Sequence, residues 1–186
     1  RDLFPEAMRL VHECRPKALL LENVRGFASA KFQDYRDALI GELASLGYAC
    51  EWKVLNAASF GVPQLRPRFA LIALRKPYAN YFHWPEEQDG QMTVADSIED
   101  LLGENGWRGI PSWRGKANRI APTLVGGSKK HGGPDLGPTR AKKAWAELGI
   151  NGKGIANEPP DKTFPADGMP KLTNQMAARI QGFPDS

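Results

Sequence analysis

Ala18-Leu19-Leu20-Leu21-Glu22-Asn23-Val24 is the stretch that decides the fold. Its continuous apolar run is typical of a strand that is buried on both faces of a parallel sheet. We expect the strand to end at Glu22 and Asn23, which then lie at the carboxyl edge of the sheet. Ligands bind at that edge in open α/β folds, so both residues are candidates for a functional site.

The residues around this strand alternate between helical and extended patterns. Apolar positions at helical spacing predict helices over residues 4–14 and 32–46, and Gly47 provides a helix stop. Further strands are predicted over residues 50–55 and 68–74. A strand, a helix, a strand, a loop and a strand in this order form the end of a doubly wound sheet, so the expected fold class is α/β.

The second half of the chain differs in composition and in its pattern of predicted elements. Thr93 is typical of the N-cap of a helix over residues 94–102, and dense Gly and Pro over residues 106–170 leave one clear helix at about 139–148. We therefore expect a sheet domain over residues 1–88 and a smaller, loop-rich domain with a following motif over residues 89–186. Three tryptophans of this second part are interpreted as core anchors: Trp107, Trp113 and Trp145.

Positive charge is concentrated in the loop-rich part. The chain of 186 residues has a formal net charge of +4. Residues 107–153 contain ten Lys or Arg against two acids, a balance of +8, so the remainder carries −4. This distribution fits a polyanionic partner, although a solvated charged face gives the same pattern.

The two cysteines, Cys14 and Cys50, have neither CxxC nor metal-ligand spacing. This argues against a disulfide framework and a zinc site, fits a reducing cytosolic setting, and indicates buried or half-buried structural cysteines. No apolar stretch approaches the roughly 18 residues that span a bilayer, so no membrane association is expected.

A carboxylate in the position of Glu22 is partly desolvated, which would let it donate a proton near neutral pH. The tripeptide Glu22-Asn23-Val24 alone favours a simple capping role at a strand-to-loop junction.

A second motif supports a functional site: Arg66 and Arg68 alternate at the start of a strand, so both guanidinium groups can reach one phosphate or base carbonyl. Gly61-Val62-Pro63 fixes the backbone just before them, although an exposed strand edge would also carry two arginines.

A third motif completes the pattern: Leu172-Thr173 leads to Ala178-Arg179-Ile180-Gln181-Gly182-Phe183-Pro184-Asp185. The three motifs, in this order and with a basic insert before the third, resemble the DNA cytosine-5 methyltransferases over essentially the whole chain. The resemblance implies the C-terminal part of a Rossmann-like, S-adenosylmethionine-dependent methyltransferase sheet, with a smaller loop-rich target-recognition domain.

The resemblance also implies a mechanism. These enzymes flip a cytosine out of the duplex, attack its carbon 6 with a cysteine, and transfer a methyl group from S-adenosylmethionine to carbon 5. Glu22 would hydrogen-bond ring nitrogen 3 and the amino group, and Arg68 would hold the carbonyl oxygen. Arg66 would brace the catalytic loop or the backbone around the flipped nucleotide, and Leu3 would border the cofactor adenine.

The implied partner is double-stranded DNA. Asn23 would orient the backbone beside the catalytic carboxylate, Gln64 would shape its loop, and residues after Ala121 resemble a Thr-Leu core followed by a basic, glycine-rich loop. The candidate DNA-binding residues are Asn23, Gln64, Thr123, Leu124, Lys129, Lys130 and Arg140.

The sequence departs from the family pattern in several places. It has no Pro-Cys nucleophile dipeptide before the first motif and no glycine-rich cofactor loop, so we expect that material before Arg1, and a final segment after Ser186. Gln175 stands where family members usually carry arginine. The isolated chain is expected to be inactive.

The leading interpretation is part of a bacterial modification methyltransferase, monomeric and cytoplasmic with its DNA. Two alternatives remain open at this point. The chain could be a catalytically incomplete DNA-binding module or one subunit of a split methyltransferase, which then needs a complementing chain. An unrelated nucleotide-binding α/β protein is the other alternative, and it predicts no salt-dependent DNA binding.

Overall fold

The computed structural model describes residues 2–126 and 134–185. The chain divides into two compact units: Arg1–Leu55 with Pro67–Glu86 form the first, and Asn56–Arg66 with Glu87–Ser186 form the second. That these units serve as a catalytic and a target-recognition domain stays a prediction. Among the described residues, no helix has the length and apolar character needed to cross a membrane.

Both units contain helices and strands. In chain order the elements are α1 (Phe4–Cys14), β1 (Ala18–Val24), α2 (Gln33–Ser45), β2 (Tyr48–Asn56), β3 (Gln64–Leu65), β4 (Pro67–Arg75), α3 (Lys76–Ala79), α4 (Val94–Gly103), α5 (Ile110–Ala117), β5 (Ala121–Pro122), α6 (Thr139–Glu147) and α7 (Asn174–Ile180). The α/β class expected from the sequence is confirmed, and so are the helices at 4–14, 32–46, 94–102 and 139–148 to within one or two residues. Helix α5 was not predicted, because its Pro111 and Gly115 look like helix breakers; Pro111 lies in the first turn, where proline is tolerated.

The sheet of the first unit has the strand order β1-β4-β2. Strand β1 pairs with β4 in antiparallel register, from Ala18 opposite Leu74 to Val24 opposite Arg68. The prediction of a parallel strand buried on both faces is therefore wrong. Exposure alternates along β1, and Leu20 remains 64% exposed, because the described residues of this unit cover one face of the sheet and leave the other open.

The covered face of this sheet packs on helices α1 and α2. Each helix buries residues at helical spacing, Met8 with Val11 on α1 and Leu39 with Leu43 on α2. Alternate residues of β4 complete the core, because successive strand side chains point to opposite faces. These strand residues, all fully buried, are Phe69, Leu71 and Ala73.

The second unit is mainly helical around its own core. Helix α4 is capped by Thr93, the residue before it. The Thr93 side chain accepts from the Asp96 N–H while Asp96 accepts from the Thr93 N–H, a capping box that fixes the helix start. The unit also contains the short parallel pair β3–β5. The interpretation of the tryptophans as core anchors is confirmed, since the three are at most 3% exposed: Trp107, Trp113 and Trp145.

Candidate functional site

Glu22 and Arg68 form an ion pair on the open face of the sheet. Oε1 of Glu22 lies 2.7 Å from Nε of Arg68. Glu22 stands opposite Ala70, so Arg68 is its diagonal neighbour on the same face. Nη1 of Arg68 also donates to the carbonyl oxygen of Pro67 at 3.0 Å, and the remaining guanidinium donors have no protein partner among the described residues.

The surroundings of Glu22 differ from those expected from the sequence. Its side chain is 58% exposed, so the expected partial desolvation is not present within the described residues. The residue also lies inside β1 and not after it, because pairing with β4 continues to Val24. The exposure arises from the open sheet face, on which the carboxylate lies with Leu20 and Val24.

Asn23 lies on the opposite face, in the wall of a cavity of about 500 Å³ that Phe27 and Tyr35 also line. Its side-chain Oδ1 accepts from the N–H of Val24 at 2.8 Å, a bond that fixes the backbone directly after Glu22. The bond is compatible with the orienting role expected of Asn23, and both this role and a contact with DNA stay predictions.

Asp2 and Tyr35 meet at the same cavity, next to Leu3. The hydroxyl of Tyr35 donates to Oδ2 of Asp2 at 2.6 Å. Partial burial and this bond raise the pKa of Tyr35 to about 12, while the same bond holds the pKa of Asp2 below its ordinary value. Leu3 itself is 66% exposed, so an apolar side chain is available beside this anchored turn.

The loop before Arg66 is held by hydrogen bonds to Asn56 and Ala57 and by Thr123, which directly follows β5. The Arg66 N–H donates to Oδ1 of Asn56 at 3.0 Å, and the Ala57 N–H donates to the Arg66 carbonyl at 3.3 Å. Oγ1 of Thr123 donates to the Leu65 carbonyl at 2.5 Å. These bonds give the loop a defined conformation, as expected from Gly61-Val62-Pro63, with Gly61 at φ +77°.

Gln64 is fully buried, so its amide presents no surface to a ligand in this structure. Its Nε2 donates weakly to the carbonyl of Ile180 at 3.5 Å, and Oε1 has no partner among the described residues. The end of α7 supports the loop from the same side: Gly182, at φ +85°, lies so close to Val62 that an added Cβ would be 3.1 Å from a Val62 methyl. This buried position is compatible with the loop-shaping role of Gln64, which stays a prediction.

Arg179 ties the end of α7 to α4. Its Nε and Nη2 bind both carboxylate oxygens of Asp185, at 2.9 and 2.5 Å, while Nη1 donates to Asp100 at 2.6 Å and to the Ser97 carbonyl at 3.0 Å. The guanidinium lowers the pKa of both Asp100 and Asp185, and the Gln175 side chain lowers that of Asp185 further. Gln175 thus favours the ionised form of the same carboxylate that Arg179 binds.

The residues predicted to bind DNA in the second unit have different surroundings. Thr123 is half-buried by its bond to the loop, and Leu124 packs against the core. Arg140 is exposed on α6, where the neighbouring Lys142 is ion-paired with Asp135. Lys129 and Lys130 lie outside the described residues.

Neither cysteine has the surroundings of an activated nucleophile. Burial raises the pKa of the half-buried Cys50 thiol, which disfavours the reactive thiolate. The prediction that Cys14 is at least half-buried is wrong: it is exposed, because it lies at the last residue of α1, off the Met8–Val11 face. Among the described residues, no three His, Cys, Asp or Glu side chains are grouped to hold a metal.

Sequence reasoning missed Arg36, a buried cation on α2. The available signal was its spacing, because Arg36 falls in the stripe of Phe32, Leu39 and Leu43 that faces the core. A charged residue in an apolar stripe indicates a specific set of hydrogen bonds.

Comparisons with known proteins agree with the three motifs. The sequence model of the C-5 cytosine-specific DNA methylases matches residues 1–186. The type II methyltransferase M.NaeI of Lentzea aerocolonigenes is 52% identical over 185 residues, covering 100% of this chain and 45% of the relative. The type II methyltransferase M.NgoMIV of Neisseria gonorrhoeae is 48% identical over 189 residues, covering 100% of this chain and 59% of that protein.

The chain therefore spans about half the length of these relatives. One solved structure, assigned as a DNA modification methyltransferase encoded within an E. coli prophage, superimposes with a TM-score of 0.51 at 19% identity. The match covers 96% of this chain and 62% of that chain, and it supports the fold assignment.

Proposed function

The chain belongs to the C-5 cytosine-specific DNA methylases, and on that premise we propose that the whole protein methylates carbon 5 of a flipped cytosine in a specific DNA duplex. The type II relatives support a role as the modification enzyme of a restriction-modification system, acting on DNA in a bacterial cytoplasm. The observation that carries the proposal is the Glu22–Arg68 pair on the open face of the sheet. N–H groups of Arg68 and one carboxylate oxygen of Glu22 remain available there to a ligand.

These two side chains together match the edge of a cytosine. The carboxyl group of Glu22 hydrogen-bonds to ring nitrogen 3 and to the amino group, while free N–H groups of Arg68 donate to the carbonyl oxygen. When a nucleophile adds to carbon 6, negative charge develops on the ring nitrogen and oxygen, and both contacts strengthen. The chemistry of the pair is therefore to hold the base and stabilise that charge.

The proposed methyl donor is S-adenosylmethionine, which supplies an electrophilic methyl group when bound. In this chain we assign to it only Leu3, whose exposed apolar side chain suits the face of an adenine ring. The bond between Tyr35 and Asp2 holds the turn that carries Leu3.

The second unit is proposed to contact the DNA. Arg66 braces the backbone around the flipped nucleotide from the loop that Gln64 and Thr123 hold. The exposed Arg140 pairs with phosphate, together with Lys129 and Lys130, while Leu124 supports the segment from the core. Phosphate contacts of this kind position a protein without reading sequence.

Expression of the full-length gene product in a host without endogenous cytosine methylation tests the proposal. Bisulfite sequencing of host DNA should show 5-methylcytosine at one short sequence, and transfer of labelled methyl groups should require S-adenosylmethionine. Salt-sensitive DNA binding without methylation would instead assign a binding module or one subunit of a split enzyme. Absence of both would reject the proposed function.

A further inference from the structure

Arg36 is a buried cation that the proposed chemistry does not use. The residue lies on α2 and is 6% exposed. Arginine keeps its charge throughout the pH range in which proteins fold, and ion pairs among the described residues do not include Arg36. Since a buried charge is costly unless its donors are bonded, the partners of this guanidinium indicate what it stabilises.

The guanidinium of Arg36 binds the turn that directly follows Glu22-Asn23-Val24. Its Nη1 donates to the carbonyl oxygen of Phe27 at 2.5 Å and to that of Ser29 at 2.7 Å. Both carbonyls belong to the short 3-10 helix Arg25–Ala28 and its C-cap. Charge-assisted bonds are about twice as strong as neutral ones, so Arg36 holds this turn more firmly than the backbone hydrogen bonds of the turn alone would hold it.

Two aromatic rings link the same guanidinium to β4. The guanidinium carbon of Arg36 lies 5.2 Å from the ring centroid of Trp52, and Trp52 lies 5.2 Å from the ring of Phe69. Phe69 is the neighbour of Arg68 on β4 and stands opposite Asn23 on β1. Arg36 thus contacts the backbone of the turn that follows Glu22, and through Trp52 it supports β4, the strand that carries Arg68.

We propose that Arg36 is a positioning residue for the Glu22–Arg68 pair. By holding the turn after β1 and contacting Trp52, which packs on Phe69 of β4, it fixes the separation and orientation of the two groups that are proposed to bind the base. The inference rests on the proposed function, because the kinetic consequence requires methylation. The structural part of the inference, that Arg36 orders the turn after β1, does not depend on the proposed function.

The test uses the full-length protein with Arg36→Met, Arg36→Lys and the matched control Leu43→Ala. Leu43 is fully buried on the same helix and in the same core, but it makes no hydrogen bond to the turn. Arg36→Met should lower kcat about tenfold to hundredfold, as small misplacements of reacting groups do, while the KM for DNA changes little. Arg36→Lys should recover part of the loss, because an ammonium group can donate to the same carbonyls.

Hydrogen exchange over residues 23–29 and thermal unfolding are measured for the same variants. We expect Arg36→Met to accelerate exchange selectively in this segment, and Leu43→Ala to lower stability while kcat is kept at temperatures where it remains folded. Parallel losses of kcat and stability in both variants would overturn the positioning role. If the wild-type protein shows no methylation, the proposed function fails, and unchanged exchange over residues 23–29 in Arg36→Met would then reject the inference separately.

Discussion

Oε1 of Glu22 lies 2.7 Å from Nε of Arg68 across the antiparallel strands β1 and β4. The side chain of Glu22 is 58% exposed and that of Arg68 is 27% exposed, so solvent screens the pair and its contribution to stability is small. The register of the two strands nevertheless fixes both groups on one face. Such a pair is suited to bind a planar ligand edge that has both donors and acceptors.

Glu22→Ala in the full-length protein should slow methyl transfer far more than it weakens DNA binding. The carboxyl group is proposed to bind the base most strongly as charge develops, so its loss should lower the single-turnover rate on the order of 10²–10³-fold. Unfolding free energy should change by less than about 1 kcal/mol, since the ion pair is exposed. Rates, DNA affinity and urea unfolding are measured on the same preparation.

The control for this experiment is Asp37→Ala. Asp37 is an exposed acid on α2 in the same unit, and none of the ion pairs among the described residues includes it. It should leave the rate and the affinity unchanged. Equal losses of rate and affinity in Glu22→Ala would indicate a structural role for Glu22.

Arg140→Gln should weaken DNA binding uniformly across sequences and reduce its salt dependence. If the exposed guanidinium contacts one phosphate, its loss lowers the slope of log affinity against log salt by about 0.9. The measurement is fluorescence anisotropy with several duplexes at increasing salt. Lys162→Gln, which removes another exposed cation of the same unit, should leave the slope unchanged; equal slopes for wild type and Arg140→Gln would reject the phosphate contact.

Much of the fold could be predicted because local signals determine it. The apolar spacing of α1 and α2, the cap at Thr93 and the alternation of β4 each act over a few residues. The first and second motifs likewise singled out Glu22 and Arg68, since each lies in a short, recognisable stretch, but the ion pair between them was not predicted.

The direction and exposure of β1 could not be predicted, because they depend on pairing with a strand more than forty residues away. An apolar run such as Leu19-Leu20-Leu21 indicates burial on both faces, yet burial also requires elements that cover each face. Arg36 was missed for the same reason: its carbonyl partners become visible only when the turn after β1 packs on α2.

Arg179→Met should remove a contribution to the free energy of unfolding that is lost at acidic pH. Arg179 lowers the pKa of Asp100 and Asp185 from the ordinary value of 3.8, so both carboxylates favour the folded state when ionised. That contribution is fully present above the pKa of the unfolded chain and is lost as the pH falls through the lower folded values. The stability difference between wild type and Arg179→Met should therefore be constant near neutral pH and shrink below about pH 4.

Urea unfolding at several pH values measures this difference. Arg114→Met is the control, because Arg114 also pairs with acids, Asp96 and Glu99, but its side chain is 51% exposed. Its effect should be small at every pH. A difference between wild type and Arg179→Met that does not change on acidification would show that the carboxylates of Asp100 and Asp185 do not couple to Arg179.

Gln64→Met should keep or raise the stability of the protein, whereas Gln64→Ala should lower it. Gln64 is fully buried, its Oε1 has no partner among the described residues, and its one bond to Ile180 is 3.5 Å long. An unpaired buried amide oxygen costs about 1–3 kcal/mol, so an apolar side chain of similar shape removes that cost. Truncation to alanine leaves a cavity, for which we expect a loss of about 2–4 kcal/mol.

Chemical unfolding and DNA binding of both variants separate two roles for Gln64. If Gln64 shapes the loop from inside the core, Gln64→Met retains its affinity for DNA, and Gln64→Ala loses affinity in step with stability. If the amide contacts DNA after a rearrangement, Gln64→Met loses affinity while it stays folded. A stability loss of more than about 2 kcal/mol in Gln64→Met would contradict the prediction that an apolar side chain of similar shape is tolerated at this position.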